Sequence, residues 1–287
     1  MPFKTATGMN PDLTKSISEA VRIALAEDVG VGDVTTESCV PLDRRASGVF
    51  LARQPLVLAG TAVLSEIYAQ FGGLQKLTLL KADGQSIAAD EIFARVEGSA
   101  RTLLSTERVA LNFIQRLSGV ATLARRFAGQ VAGTGCRVLD TRKTTPGLRL
   151  LEKAAANSGG VTNHRIGLWD AILIKNNHIS AAGGVAQALA AAASHSSLPV
   201  EIEVRTAAER DEALHNGATH LLLDNLTPEQ AREWISVIAG RAIVELSGNV
   251  TLETVRAYAE TGAQFVSAGA ITHSAPAVDI SFRLSLM

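Results

Sequence analysis

Beyond Cys136, short apolar segments alternate with amphipathic segments that carry helix-capping residues, and this alternation restricts the fold more than any other feature. Two helix starts are marked locally: Thr206 is followed by Glu209 in a capping box, and Thr227 is followed by Pro228. Such alternation predicts parallel strands joined by helical crossovers, in an open sheet or a barrel. No GxGxxG follows the first strand, so we favour a barrel, incomplete at about six strands. The strands are expected at 137–140, 171–175, 200–205, 220–224, 242–246 and 265–268.

The residues before Cys136 follow a different pattern. Between Ala46 and Gly98, short apolar runs are separated by glycine and proline, which predicts a mixed sheet with one or two helices rather than repeated βα units. One of these helices is expected at 62–70. The glycine-rich stretch at 27–36 is interpreted as a structural turn, because a helix rather than a strand precedes it.

Helix-start signals also occur in this first half. A capping box at 16–19 predicts the start of a helix, and a second helix is expected at 103–119 with Ser105 as its N-cap. Gly119 is interpreted as a break, after which the helix resumes. We therefore predict a domain boundary near Ser118.

The composition excludes some classes of partner. The 27 Lys and Arg residues are balanced by 28 Asp and Glu residues, which argues against nucleic acid bound to a broad basic face. No apolar run approaches the roughly 20 residues of a membrane helix, and the first ten residues lack the apolar core of a secretory signal. Cys39 and Cys136 form no metal or disulfide pattern. We therefore expect a cytoplasmic protein with reduced cysteines that binds neither nucleic acid nor membrane.

The segment from Asp140 to His178 is rich in cations. It has only three acidic residues, although the whole chain has a formal charge of −1. The local excess of positive charge predicts a site for an anion that carries several charges. The cationic residues of the segment are Arg142, Lys143, Arg149, Lys153, Arg165 and Lys175, with His164 and His178.

Polar residues also stand where the predicted strands end, which is where βα barrels build their sites. Glu203 and Asp224 would lie on neighbouring strands and suggest Mg²⁺ held by few carboxylates, with an ion pair to lysine as the alternative. The turns at 247–249 and 268–270 follow the last two strands, and their small residues would expose backbone N–H groups at helix N-termini, which predicts a phosphate site.

At these residues the chain resembles the quinolinate phosphoribosyltransferases, also called nicotinate-nucleotide pyrophosphorylases (carboxylating). The resemblance is carried by DTRKTTPGLRLLEK, NHRIGLWDAILIKNNH, EIEV, LLLDN and SAGAITHS. EDVGVGDVTT and LNFIQRLSG resemble the N-terminal half of the family, so the likeness covers nearly the whole chain.

The resemblance implies an α/β protein of two domains. An N-terminal α/β sandwich would cover 1–117 and be completed by 275–287, and an incomplete α/β barrel of about six parallel strands would cover 118–274. It also implies a homodimer, or a larger homo-oligomer, whose active sites are each completed by the neighbouring subunit. The implied enzyme is a pentosyltransferase of de novo NAD biosynthesis: with Mg²⁺, quinolinate and phosphoribosyl pyrophosphate give nicotinate mononucleotide, pyrophosphate and CO₂.

The resemblance further implies roles for the residues at matching positions. Those that would bind the quinolinate carboxylates are Arg142, His164, Arg165 and Lys175, with Arg108 from the neighbouring subunit. Those that would bind phosphoribosyl pyrophosphate are Lys143, Asn177, Ser247, Gly248, Asn249, Ser267, Gly269 and His273. Those that would act in catalysis are Lys143, Lys175, Glu203 and Asp224, the last two as Mg²⁺ ligands.

The chain departs from the family pattern at two positions, and two alternative functions remain open. Asn176 stands where many members of the family have aspartate, and Asn249 stands where a second glycine is common. One alternative keeps the fold with another ligand, as in the molybdenum-transport-associated proteins of this superfamily. The other is a sugar-phosphate lyase with Lys175 as a Schiff-base amine, which would leave the remaining cations unexplained.

Overall fold

The computed structural model describes residues 11–287, which divide into two compact units. The antiparallel unit comprises 11–125, 144–160 and 274–287, and the parallel unit comprises 126–143 and 161–273. The expectation that the first ten residues form no secretory signal lies outside the described residues. In chain order the elements are α1 (Pro11–Asp28), α2 (Val34–Cys39), β1 (Arg45–Ala52), β2 (Leu56–Val57), α3 (Thr61–Gln70), β3 (Lys76–Leu79), β4 (Ser86–Ile87), β5 (Ile92–Ser99), α4 (Ala100–Gln130), β6 (Arg137–Leu139), α5 (Arg149–Ser158), β7 (Ile172–Ile174), α6 (Asn176–Ala182), α7 (Val185–His195), β8 (Val200–Val204), α8 (Ala207–His215), β9 (His220–Asp224), α9 (Pro228–Ile238), β10 (Ile243–Ser247), α10 (Val255–Ala259), β11 (Phe265–Ser267), α11 (Ala270–His273) and β12 (Ile280–Leu286).

The antiparallel unit is built on a sheet with the strand order β12-β1-β5-β3. Each neighbouring pair in it is antiparallel, and β12 comes from the end of the chain. Phe50 on β1 is fully buried, with its ring centroid 6.1 Å from that of Phe93 and 4.8 Å from that of Phe282. Because Phe282 lies on β12, the last residues of the chain contribute to the core of this unit.

Helix α4 is uninterrupted over 31 residues, so the predicted break at Gly119 is wrong. This glycine permits a close approach instead, because a Cβ atom at Gly119 would lie 2.1 Å from the carbonyl oxygen of Pro276. The boundary near Ser118 was inferred from that break. The division into compact units falls later in α4, after Arg125, and assigns 144–160 to the antiparallel unit.

The capping box predicted at 16–19 lies inside a helix, because α1 begins at Pro11. Glu19 there forms an ion pair with Arg22, at 2.7 Å, instead of capping the helix. The box motif is short, and a helix that extends further towards the N-terminus leaves it as an ordinary pair of exposed side chains.

Ser105 is likewise inside a helix, α4, rather than at its start. Its hydroxyl donates to the Asp33 carboxylate at 2.8 Å, and that carboxylate also accepts the Thr36 N–H at 2.9 Å. Asp33 is therefore the N-cap of α2, a helix that the interpretation of 27–36 as a turn did not include.

We expect Gly119→Ala to lower the free energy of unfolding by about 1–3 kcal/mol, because the methyl group must displace backbone atoms. Gly129→Ala is the matched control in the same helix, since a Cβ atom there has no neighbour within 4 Å. It should raise stability by about 0.5–1 kcal/mol through helix propensity. Urea denaturation followed by circular dichroism measures both, and equal effects from the two variants would contradict the close-approach explanation.

The parallel unit contains one sheet of parallel strands in the order β6-β11-β10-β9-β8-β7. All the strands predicted beyond Cys136 are present, and each end agrees with the prediction to within one residue. The incomplete six-stranded α/β barrel is thus confirmed. Helix α6, which begins directly after β7, has no counterpart among the predicted elements.

The register of the central strands determines which side chains face the site. Glu203 on β8 and Glu245 on β10 both align with Leu222 on β9, and Asp224 aligns with Ser247 one step further along. Because side chains alternate between the two faces of a strand, these polar residues share one face, at or near the carboxyl ends.

Candidate active site

A cavity of about 970 Å³ lies at the carboxyl ends of the parallel strands. The residues that line it include all those that the family resemblance implied for the site, except Arg108. The carboxyl end of a βα barrel positions such residues because the loops after all the strands meet there. Arg108 lies on α4 in the antiparallel unit and is exposed, and its role remains a prediction.

Arg142 and Arg165 form the cationic part of the cavity. The Nε atom of Arg142 is buried and has no hydrogen-bond partner among the described residues. Arg165 donates from Nη1 to the Ala171 carbonyl at 3.0 Å, and burial, followed by the charge of Arg142, lowers its pKa. A buried donor without a partner beside a second guanidinium is an unfavourable arrangement that a bound anion would relieve.

The loop between α5 and β7, which carries Arg165, is held by two aspartates. Asp140 is fully buried and accepts the His164 N–H at 2.8 Å and the Asn163 side-chain amide at 2.6 Å. Asp170 accepts two further backbone N–H groups from the same loop, at 2.7 and 2.9 Å. Because both acids are used to fix the backbone of this loop, it presents Arg165 with a defined geometry.

His164 lies between two carboxylates that the sequence analysis did not include in the site. Its Nε2 atom is 3.4 Å from oxygens of both Glu201 and Glu245, and its Nδ1 atom accepts the Arg165 N–H at 2.7 Å. Burial lowers the pKa of His164, but the charges of Glu245 and Glu201 outweigh burial and raise it to about 10. A pKa this high would place a proton on both ring nitrogens, but the hydrogen bond from Arg165 requires an unprotonated Nδ1. The geometry decides between the two, and we assign the ring one proton, on Nε2.

The sequence signal that could have identified Glu245 is an acidic residue inside an otherwise apolar strand, IVELS. It is buried, and neither of its carboxylate oxygens has a hydrogen-bond partner within the described part of the chain. Burial and the neighbouring charge of Glu245 raise the pKa of Glu201 to about 7. The two carboxylates therefore orient the imidazole of His164 at the cavity.

Glu203 and Asp224 form the acidic part of the cavity. Glu203 is only 4% exposed, and it accepts Lys175 Nζ at 3.0 Å on one oxygen and Arg205 Nη2 at 2.8 Å on the other. The same Arg205 Nη2 is 3.4 Å from Asp224 Oδ2. The lysine ion pair considered as an alternative to Mg²⁺ is thus present at Glu203, and Arg205 is a second cation that the sequence analysis missed.

The end of the last parallel strand, β11, meets the side chains of Lys143 and His273. A Cβ atom at Gly269 would lie 3.0 Å from Lys143 Cδ and 3.1 Å from the His273 ring, and the hydroxyl of Thr272 donates to the Lys143 carbonyl at 2.7 Å. Gly269 therefore leaves room for two basic side chains that are far apart in sequence.

The turn after β10 requires unusual backbone conformations. Gly248 has φ +108°, and a Cβ atom there would lie 2.2 Å from Asn225 Oδ1. Asn249 has φ +50°, in the left-handed region that glycine and asparagine accept most readily. Helix α10 begins only at Val255, so this turn is not at a helix N-terminus as the sequence analysis expected.

Asn249→Gly is expected to leave stability within about 0.5 kcal/mol of the wild type, since glycine adopts the observed φ without strain. Asn249→Val should lose about 1–2 kcal/mol and weaken phosphoribosyl pyrophosphate binding, because a β-branched residue resists the left-handed conformation. Thermal denaturation and substrate titration measure the two effects. Equal behaviour of the glycine and valine variants would show that backbone conformation does not limit this turn.

Comparison with known proteins identifies the family and the fold. The family models for the N-terminal and C-terminal domains of quinolinate phosphoribosyl transferase match residues 33–118 and 120–283. The chain belongs to the quinolinate phosphoribosyltransferase family. It is 39% identical over 292 residues to the decarboxylating quinolinate phosphoribosyltransferase 2b, mitochondrial, of Nicotiana tabacum, a match that covers 94% of this chain and 83% of that protein.

Bacterial members of the family show the same extent of similarity. A probable nicotinate-nucleotide pyrophosphorylase [carboxylating] of Bacillus subtilis is 38% identical over 262 residues, covering 91% of this chain and 90% of that one. The structure of the nicotinate-nucleotide pyrophosphorylase from Francisella tularensis superposes with a TM-score of 0.93 at 36% identity, covering 98% of this chain and all of that one. None of these relatives supports the molybdenum-transport alternative.

Over residues 11–287, no helix combines the length and the apolar character needed to cross a bilayer.

Proposed function

We propose that this protein transfers the phosphoribosyl group of phosphoribosyl pyrophosphate to quinolinate and releases CO₂, forming nicotinate mononucleotide and pyrophosphate in NAD biosynthesis. The observation that carries the proposal is one cavity with a cationic part and an acidic part, in a chain that belongs to this family. The unpartnered buried Nε of Arg142 beside Arg165 suits a dicarboxylate, because guanidinium groups bind carboxylates through paired donors.

The chemistry requires positioning and charge rather than a protein nucleophile. The quinolinate nitrogen forms a bond to the anomeric carbon of ribose while the bond to pyrophosphate breaks. Negative charge grows on the departing pyrophosphate, and the cation of Lys143, whose side chain extends over Gly269, would stabilise it. The pyridinium product then accepts the electron pair of the breaking bond to the 2-carboxylate, CO₂ leaves, and water supplies the proton that replaces it.

The acidic part of the cavity fits Mg²⁺. Oxygens of Glu203 and Asp224 both lie within 3.4 Å of the same Arg205 nitrogen, so the two carboxylates converge on one region. Mg²⁺ prefers a small number of carboxylates completed by water and substrate oxygens, and when bound it would neutralise charge on the leaving pyrophosphate.

The test follows nicotinate mononucleotide and CO₂ together, using purified protein with quinolinate, phosphoribosyl pyrophosphate and Mg²⁺. Equal amounts of both products from quinolinate, with nicotinate giving none, are expected. Product without CO₂, or turnover of nicotinate instead, would contradict the proposal.

We further propose a homodimer, or a larger assembly, in which Arg108 completes the site of the neighbouring subunit. Arg108 is exposed on α4 and is therefore available for such a contact. A twofold-symmetric dimer would bring one Arg108 to each of its two sites. Mixing inactive Arg108→Ala and Arg142→Ala proteins, after dissociation and reassembly, should restore about a quarter of wild-type activity, because each hybrid dimer has one intact site. No recovery from hybrids shown to form would contradict a shared site.

A cytoplasmic location is proposed as well. The two cysteines are free, which suits a reducing compartment. Some relatives are named mitochondrial or chloroplastic, so cell fractionation is the appropriate test.

A further inference from the structure

Arg205 is the cation nearest to both carboxylates of the acidic part. Its Nη2 atom is 2.8 Å from Glu203 Oε1 and 3.4 Å from Asp224 Oδ2, and its side chain is 49% exposed. It stands two residues after Glu203, so it projects from the same side of the chain just beyond the end of β8. One guanidinium nitrogen therefore occupies the region where the oxygens of two neighbouring strands converge.

These oxygens have limited capacity for cations. Glu203 Oε2 is already taken by Lys175 Nζ at 3.0 Å, which leaves Oε1 and the Asp224 carboxylate for any further positive group. Without a counter-charge, two carboxylates this close would repel each other, and Glu203 is almost completely buried. Arg205 supplies that counter-charge from within the chain.

A divalent ion would need the same oxygens. Mg²⁺ and Mn²⁺ bind carboxylate oxygens at short distances and cannot share an oxygen with a guanidinium held at 2.8 Å in the same direction. Because Arg205 is half-exposed and has a long side chain, it can turn away into the cavity, which it also lines. The ion and the guanidinium are therefore alternatives at these two carboxylates.

We propose that Arg205 competes with the divalent cation for Glu203 and Asp224, so that the substrate-free protein binds metal weakly because its own arginine holds the site. This inference rests on the metal site proposed above. Arg205 is a positioning residue in this arrangement: it keeps both carboxylates oriented and neutralised until a divalent ion replaces it.

The test measures Mn²⁺ binding to the whole protein without substrates, by the electron paramagnetic resonance signal of free Mn²⁺. Arg205→Gln removes the competing charge and should bind Mn²⁺ about tenfold more tightly than the wild type. The reason is that a charge-assisted pair of this kind changes a dissociation constant by on the order of tenfold. Arg232→Gln is the matched control, because it removes an equal charge from an exposed pair with Glu229 at 3.9 Å in the same unit. It should leave Mn²⁺ affinity unchanged.

Two more variants separate failure of this inference from failure of the metal site. Glu203→Gln and Asp224→Asn should each weaken Mn²⁺ binding if these carboxylates hold the ion. If they do, but Arg205→Gln binds Mn²⁺ no more tightly than the wild type, the competition is overturned and the metal site stands. If both variants bind Mn²⁺ as the wild type does, the metal site and the competition are both overturned.

Discussion

Replacing Arg142 with alanine is expected to lower kcat/KM for quinolinate by about 10²–10³-fold. The Nε–H of Arg142 is buried and has no partner in residues 11–287, so the carboxylate that it would bind gains a full charge-assisted hydrogen bond. Alanine leaves Arg165 to hold that part of a dicarboxylate alone. Arg142→Lys keeps the charge but loses the paired donors, and it should fall between alanine and the wild type.

The thermal stability of Arg142→Ala should not fall with its activity. The charge of Arg142 contributes to the lowered pKa of Arg165, which means that the two guanidinium groups repel each other. Removing one of them should leave the thermal midpoint unchanged or raise it. Steady-state kinetics and thermal denaturation of Arg142→Ala, with Arg232→Ala as a control for loss of an exposed cation, check both statements. Normal kinetics in Arg142→Ala would overturn the quinolinate assignment of this cavity.

The second large effect is expected at Glu152, and it is a loss of folding stability. Its carboxylate is fully buried and accepts Arg116 Nη2 at 2.8 Å and Arg116 Nε at 3.0 Å. It also accepts the Thr145 backbone N–H at 3.0 Å and the Thr145 hydroxyl at 2.6 Å. This carboxylate therefore ties the loop before α5 to α4 within the antiparallel unit.

Glu152→Ala should lower the free energy of unfolding by about 3–5 kcal/mol, because it removes the buried carboxylate that the Arg116 guanidinium and both Thr145 donors share. Glu152→Gln preserves the shape and should recover part of the loss. Glu260→Ala breaks an exposed pair with Arg256 at 2.6 Å and serves as the control, with a change within about 0.5 kcal/mol. Urea denaturation measures all three. A Glu152→Ala protein as stable as the control would show that this buried network contributes little.

The parts of the fold that followed from sequence are those with a local signal. Thr206 and Thr227 accept the N–H groups of Glu209 and Gln230, so these two predicted caps lie at helix starts. The apolar strands of the parallel unit were also predicted correctly, because parallel strands that are buried on both faces need continuous apolar runs.

The local predictions that were wrong share one cause. Gly119, Ser105 and the box at 16–19 all carry residue types that commonly end or begin helices, yet each lies within a helix. At Gly119 the residue type is required by the Pro276 carbonyl, more than a hundred residues away. Short-range preferences of about 1 kcal/mol are overridden when tertiary packing requires a continuous helix.

By itself, the sequence determined the residue types at the strand ends and their order along the chain, and these were sufficient to predict a barrel, a polyanion site and the family. Only the tertiary structure decided which side chains meet. It placed Arg205 between Glu203 and Asp224, and Glu245 beside His164. Those contacts depend on the register of neighbouring strands, where a shift of one residue turns a side chain to the opposite face. Register is set by packing over the whole sheet, so no local pattern in the chain specifies it.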